Sequence, residues 1–363
     1  MADIDGFEAV LTQSLTIRVI LGGIAALFGA LVAEWLHIPL PWMLGPLMVV
    51  ASLKVASAPI SGTRPLRHAG QWVIGTSLGL YFTPDIVTLV VRHWGVIVVG
   101  TVLPVLLSVF GTWVLWCLGR TSIKTAWFST AIGGSSEMSN LAERWGARVD
   151  LVASAHSLRI LVVVIVIPFA YQALGFEGSD LRGLSAGVGS NKEWLLLISA
   201  TVTVGFLSQK YDLPNAWVLG PLIVSMLMTA GAYVHLAMPS EVIKAGQLLI
   251  GWSLGDRYRP GFFKVAPRFL TSVLVYTMGS LLIVAAFGLL VSSFSELSLA
   301  TIWLGYAPGG LAEMSITAKV LALGVPLVTA MQVSRMALVV VVTGWFYNLF
   351  VRRIEARLPH RAE

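Results

Sequence analysis

One motif, written twice, constrains this chain more than any other feature. Gly133-Gly134-Ser135-Ser136-Glu137-Met138-Ser139 returns 176 residues later as Gly309-Gly310-Leu311-Ala312-Glu313-Met314-Ser315, and each copy sets one carboxylate in a long apolar neighbourhood. A glycine pair breaks a helix, because glycine loses the most backbone entropy on ordering and exposes its peptide groups. The Glu and Met that follow read as the first turn of a new half-helix. Orphan N–H groups and the positive end of the helix dipole favour a carboxylate there.

The neighbourhood of the motif fixes the solvent. With 56% hydrophobic and only 12% charged residues among 363, and a mean hydropathy of +0.83, the chain has too few charges to cover a soluble globule. It reads as a polytopic membrane protein whose main partner is the lipid bilayer. The first fourteen residues carry Asp3, Asp5 and Glu8 and no basic side chain, so the first apolar stretch reads as a span and not as a cleaved signal. Thirteen Trp suit interfacial belts. Cys117 is alone, and His37, His68, His93, His235 and His360 are dispersed near predicted loops. Neither a disulfide nor a metal site is expected, and no cofactor.

Apolar stretches near the roughly 17 to 25 residues that cross a bilayer fall at 15–36, 40–58, 93–118 and 151–172, with a shorter one at 68–82 and an interrupted one at 122–146. After a Gly- and Ser-rich connection the pattern begins again, at 193–209, 213–236, 242–256, 266–292, an interrupted 299–322, and 326–350. Residues repeat with the hydropathy. Leu44-Gly45-Pro46-Leu47 matches Leu219-Gly220-Pro221-Leu222, Ala69-Gly70-Gln71 matches Ala245-Gly246-Gln247, Ser77-Leu78-Gly79 matches Ser253-Leu254-Gly255, Pro84 matches Pro260, and Arg159 matches Arg335. Matches in one order at a nearly constant offset mark an internal duplication.

Basic residues test how the halves are related, since Lys and Arg concentrate in cytoplasmic loops. If each interrupted segment is a re-entrant hairpin, each half crosses five times and the second is inverted relative to the first. With the N-terminus inside, sixteen of the 24 basic residues then lie at cytoplasmic ends and five outside; parallel halves of six spans give twelve against nine. The expected fold is all-α, with two inverted repeats of about five transmembrane helices plus one interrupted or re-entrant segment each. The first membrane repeat covers 1–172, a linker 173–192, the second repeat 193–350 and a cytoplasmic tail 351–363. Inversion brings the two hairpin tips together near the midplane, where secondary transporters place substrate.

Candidate binding residues follow from depth. Glu137 and Glu313 suit a proton carrier, a cation ligand or a counter-ion, against the plainer reading that they cap their half-helices. Arg159 and Arg335 lie about 13 Å into their spans, too deep to snorkel easily. They either pair with the glutamates of their own halves or hold a carboxylate or sulfonate bidentately. His156 sits one turn before Arg159, and Gln332 one turn before Arg335. The set is completed by the loop residues Gly133, Gly134, Ser135, Ser136, Ser139, Gly309, Gly310 and Ser315. Pro39, Pro41, Pro46, Pro214 and Pro221 read as shaping the second span of each half. Gly75, Gly79, Gly251 and Gly255 read as small faces for close helix approach.

The Leu-Gly-Pro element, the Ala-Gly-Gln helix and the Gly-Gly-x-x-Glu-Met-Ser loop followed by an arginine span together resemble the AbrB-duplication family of bacterial inner-membrane proteins. The resemblance covers nearly the whole chain. It implies a multi-pass protein of the inner membrane, expected here with both termini cytoplasmic. That family carries labels as a regulator of gene expression and as an ammonia monooxygenase. The residues weigh against both taken directly: the longest polar stretches are the connecting linker and a 13-residue tail, so no soluble DNA-binding face is expected, and no cluster of His or carboxylates suits a copper or iron oxygenase. Catalytic residues are not expected. The reading is a transporter that moves a small polar or anionic solute through a site at the repeat interface, with proton coupling and homo-oligomerisation left open. The alternative is a membrane sensor that affects gene expression indirectly.

Overall fold

Equivalent helices of the two halves pack against each other antiparallel, and the architecture follows from that. The computed structural model describes residues 14–176, 178 and 189–355. Residues 1–13, most of the 173–192 linker and the end of the 351–363 tail lie outside the described residues. The chain is all-helical, with no strand among the described residues. The first half comprises α1 (Leu15–Trp35), α2 (Pro41–Val55), α3 (Arg64–Gly79), α4 (Pro84–Arg92), α5 (Trp94–Leu118), α6 (Ile123–Thr130), α7 (Ser135–Arg144) and α8 (Val149–Ala173). The second comprises α9 (Asn191–Lys210), α10 (Ala216–Ala230), α11 (Ser240–Gly255), α12 (Phe262–Val265), α13 (Pro267–Ser292), α14 (Leu299–Tyr306), α15 (Leu311–Val320) and α16 (Val325–Phe346). A π-helical turn, Tyr347–Val351, leads from α16 to the short α17 (Arg352–Glu355).

By length and composition α1, α5, α8, α13 and the α16 region can each cross a membrane, while α2 and α10 are shorter apolar helices. Their outward sides carry Leu106, Trp113, Leu282 and Val341, all more than 60% exposed, as a lipid-facing surface requires. The short apolar stretch foreseen at 68–82 ends in an 85° bend between α3 and α4. Pro84 opens α4, where its missing N–H costs nothing.

The duplication extends to the backbone. Left-handed residues occur in register, His37 with Asp212, Leu40 with Asn215, Ser57 with Ala232 and Gly146 with Ala322, at offsets of 175 or 176. Serine caps recur as well: Ser122 accepts from Thr125 N–H at the start of α6, and Ser298 from Thr301 N–H at the start of α14, both at 3.3 Å.

Inversion is read from contacts between equivalents. Arg268 at the start of α13 donates to the Leu118 carbonyl at the end of α5 (2.8 Å), and one to two turns on, Tyr276 packs on Phe110. In α3 and α11, Gly70 lies against Leu249 and Gly246 against Val73. Both equivalent pairs run in opposite senses, as a pseudo-two-fold axis in the membrane plane demands.

The halves also interlock. α3 packs on α10 and α11 on α2, while α5 packs on α16 and α13 on α8. Gly75 and Gly79 lie against the Val218 and Leu222 carbonyls of α10; Gly251 and Gly255 lie against the Met43 and Leu47 carbonyls of α2. Each small face expected from sequence thus receives a helix of the opposite half.

Each interrupted segment is a re-entrant hairpin. Arg148 N–H, at the start of α8, donates to Thr125 Oγ1, at the start of α6 (3.1 Å), and His156 and Arg159 of α8 reach Phe128 and Ala131 at the end of α6. α6 therefore descends beside α8 from the same surface, and α7 climbs back to it. In the second half, Gln332 and Arg335 of α16 reach Leu304 and Ala307 at the end of α14 in the same register. The surface from which the first hairpin starts also holds Arg64, Arg67, Arg120, Lys124, Arg257 and Arg268, and is termed the basic face.

A side chain at Gly75 or Gly251 would meet backbone of the other half, whereas one at Gly95 would meet nothing within 4 Å. Gly75→Val and Gly251→Val should each lower stability by roughly 1–3 kcal/mol, and Gly95→Val by less than either. Thermal unfolding in detergent measures this. Equal effects at all three positions would contradict the interlocked packing.

Candidate functional site

An unwound backbone at membrane depth must find partners for the groups that the helix no longer satisfies. α6 and α14 end at Ala131 and Ala307, whose backbones turn extended (ψ 122 and 137). Their last carbonyls then point into the protein interior. In the first hairpin, His156 Nε2 is 2.9 Å from Phe128 O and therefore donates to it, while its Nδ1 accepts from Arg159 (3.2 Å). Arg159 also donates to Ala131 O (3.2 Å), and Tyr276 Oη–H to Thr130 O (2.9 Å). In the second, Gln332 donates to Leu304 O and Gly305 O (both 3.1 Å), and Arg335 to Ala307 O and Gly309 O (both 2.6 Å).

This changes the expected role of the arginines. Pairing with the glutamates of their own halves does not occur among the described residues. Instead each guanidinium caps the negative end of a half-helix, where a cation is favoured. His156 and Gln332 are fully buried and serve the same carbonyl sets. With both ring nitrogens engaged, His156 has none facing the cavity.

The glycine pairs also have a reason other than backbone freedom. Gly134 and Gly310 have φ of −67° and −83°, open to any residue. What they supply is space: a Cβ at Gly134 would collide with the Glu137 carboxylate, and one at Gly310 with that of Glu313. Gly133 and Gly309 leave room in the same way for Met138 and Met314, which are wholly buried and anchor the outgoing half-helices. The spacing Gly-Gly-x-x-Glu-Met thus folds each carboxylate back over the N-terminus of its own half-helix, a position suited to an acid.

The two hairpin tips meet at one cavity of about 100 Å³. From the first half it is lined by Gly133, Gly134, Ser135, Ser136, Glu137 and Arg159; from the second by Gly309, Gly310, Leu311, Glu313 and Arg335. Ser139, Ser315, His156 and Gln332 are not among its lining residues, and Ser315 bonds Thr329 (3.1 Å). Glu313 is buried and Glu137 half-buried. Three further polar residues line the cavity that sequence reasoning did not place there: Gln71 of α3, Asn215 at the cap of α10, and Arg257 just beyond α11. Gln71 stood in the repeated Ala-Gly-Gln element, a usable signal. Arg257 counted only as a loop charge.

Two donors on residues that line the cavity have no protein partner. The Nε–H groups of Arg159 and Arg335 are both buried and unbonded, on residues 2% and 4% exposed. Three guanidinium groups face two carboxylates, so the wall is left with a surplus of positive charge. Among the described residues no group of three or more His, Cys, Asp or Glu could hold a metal.

If the arginines cap backbone, Arg335→Gln should destabilise by about 1–3 kcal/mol, and Glu313→Gln should not rescue it. Lysine cannot span two carbonyls, so Arg335→Lys should also fall short. Conversely, the melting loss of Gly310→Ala should be recovered by Glu313→Ala, since the carboxylate is what the added methyl meets. Rescue of Arg335→Gln by Glu313→Gln would restore the ion-pair reading.

The chain is similar to known proteins over most of its length. An uncharacterized protein, YhjN, of Bacillus subtilis (strain 168) is 26% identical over 345 residues, covering 88% of this chain and 90% of its own. A protein of Escherichia coli (strain K12) described as "Putative regulator AbrB" is 23% identical over 308 residues, covering 83% and 87%. The family model described as transition state regulatory protein AbrB matches residues 42–351, from the start of α2 through the π-helical turn, and the chain belongs to the AbrB family.

Proposed function

We propose that the protein is a secondary transporter that carries a small organic anion, of carboxylate type, through the cavity between its inverted halves. One observation carries the reading: tips of two oppositely inserted hairpins line a single cavity, and the helix that follows each hairpin adds a buried arginine whose Nε–H lacks a protein partner. A carboxylate matches such donors in charge and geometry. A soluble-protein explanation of these arginines as surface charges fails at 2% and 4% exposure. No enzyme activity and no direct nucleic-acid binding belong to this proposal.

The positive-inside rule makes the basic face cytoplasmic in the bacterial inner membrane, with both termini on that side. Glu137, half-buried beside the exposed Ser136, is the carboxylate better placed to exchange protons with water at that face. Glu313 is buried within the second hairpin, and its part is to hold the second half of the site together. The name of the E. coli relative favours a second reading, a membrane sensor that binds a solute and influences gene expression without transporting it.

Uptake of radiolabelled two- to four-carbon carboxylates into proteoliposomes, with and without a pH gradient, separates the readings. A transporter accumulates at least one of them, and Glu137→Gln removes the dependence on external pH while Glu313→Gln weakens binding more than coupling. Binding without accumulation of any carboxylate would favour the sensor, and unchanged pH profiles in both variants would reject proton coupling through this pair.

A further inference from the structure

The two hairpins are equivalent in sequence position yet unequal in burial. Every residue of α15 from Leu311 to Ala318 is buried, whereas in α7 only Met138 and Ala142 are. α15 packs on α3; α7 and α11, the equivalent pair, share no comparable packing. The far end of α15 is fastened by Lys319, which donates to Ser77 Oγ (2.6 Å) and lies 5.0 Å above the Tyr81 ring. On that side Lys319, Ser77 and Tyr81 line a separate cavity of about 510 Å³ that shares no lining residue with the central one, so the centre is closed from it.

The repeat offset of 176 carries this closure onto the basic face. Lys319 maps to Glu143, Ser77 to Ser253 and Tyr81 to Arg257. The closed contact of a cation with an aromatic ring and a hydroxyl thus has, as its counterpart, a carboxylate with a guanidinium and a hydroxyl. These are complementary groups that are apart in this structure: Glu143 and Arg257 are both exposed, and no ion pair joins them among the described residues. Asp256, the acid next to Arg257, is taken by Lys54 (3.2 Å). Arg257 lines both the central cavity and a second cavity of about 140 Å³ at the basic face, with Arg64, Arg67 and Ser253. It therefore stands where the centre opens to that face.

We propose that Arg257 and Glu143 are two further functional residues of the transport cycle: Arg257 faces the central cavity while the basic face is open, and Glu143 takes its guanidinium when that face closes. The closed pair is the counterpart of the Lys319–Ser77–Tyr81 contact, and one closure breaks as the other forms, as inverted repeats exchanging conformations require. α7 is the more polar outgoing half-helix, with Ser135, Ser136, Ser139 and Asn140 against Leu311, Ala312, Ser315 and Ile316 in α15. The open state of the basic face is accordingly the resting one, and covering α7 needs the ion pair. The inference rests on the transporter reading, but its test does not use a substrate.

The test is labelling of Ser136→Cys, in a Cys117→Ser background, by an impermeant maleimide applied to the basic face of vesicles holding the full chain. Lys319→Ala removes the opposite closure and should slow labelling, by about tenfold if roughly one step of population shift is released. Tyr81→Leu should act in the same direction if Lys319→Ala folds poorly. Adding Glu143→Arg to either should restore rapid labelling, and adding Arg257→Glu to that pair should slow it again. Labelling that ignores Lys319→Ala and Tyr81→Leu, or that stays rapid in the charge-swapped protein, would overturn the proposal. Wild-type protein that accumulates no carboxylate yet shows the labelling pattern would retire the transport reading and leave the closure intact.

Discussion

The structure depends on one constraint, the need to satisfy the carbonyls of a half-helix that stops inside the membrane. Each unsatisfied backbone group in hydrocarbon costs several kcal/mol, and α6 and α14 both end at that depth. Water cannot serve carbonyls that face the packed interior, so side chains must. Arg159 with His156, and Arg335 with Gln332, do so from the neighbouring helix of the same half, 28 residues away in the leading bonds. This bonding sets the register of α6 on α8 and of α14 on α16. It thereby fixes where the glycine pairs turn the chain, and so where Glu137 and Glu313 stand.

A second constraint follows from placing two such hairpins in one chain. Equivalent helices meet antiparallel, so the second half is inverted relative to the first. Helices that interlock across the halves need faces that allow backbone to approach backbone, and Gly75, Gly79, Gly251 and Gly255 provide them. Where a large residue must cross the axis, the partner is small: Tyr306 of α14 lies on Gly100 and Tyr276 of α13 on Gly111. The two tyrosines do not occupy equivalent positions, so the symmetry is one of backbone and not of every side chain.

Much of this was legible in the sequence because duplication writes the same physical demand twice. The helix boundaries, the inversion, the hairpins and the close-packing glycines all leave periodic or charge-balance signals. The role of the arginines was not legible. An arginine deep in a span states only that a partner exists, and sequence offers the nearby Glu137 as readily as the Ala131 carbonyl, which has no letter of its own. The same limit hid Gln71, Asn215 and Arg257, which reach the cavity only because α3, α10 and α11 cross between halves. The function of the glycine pair was misread for a related reason. The ordinary φ values of Gly134 and Gly310 show that steric room, for the Glu three residues beyond the second glycine and the Met five beyond the first, is what excludes a Cβ.

The charge inventory of the cavity bears on the proposed anion site, since two glutamates also line it. Each carboxylate is folded over the N-terminus of its own half-helix, so much of its charge is already answered by N–H groups and the helix dipole. Each deep guanidinium is likewise answered by carbonyls, but carbonyl dipoles only partly offset a full charge, and the Nε–H remains unbonded on both. Arg257, just beyond the C-terminal end of α11, adds a third positive group to the two glutamates' surroundings. The local surplus is therefore positive and asymmetric, largest on the side that opens toward the basic face. On the proposed reading, a solute carboxylate entering from that face would meet Arg257 before Arg159 and Arg335, a gradient of charge that would draw it inward before any part of the protein has to move.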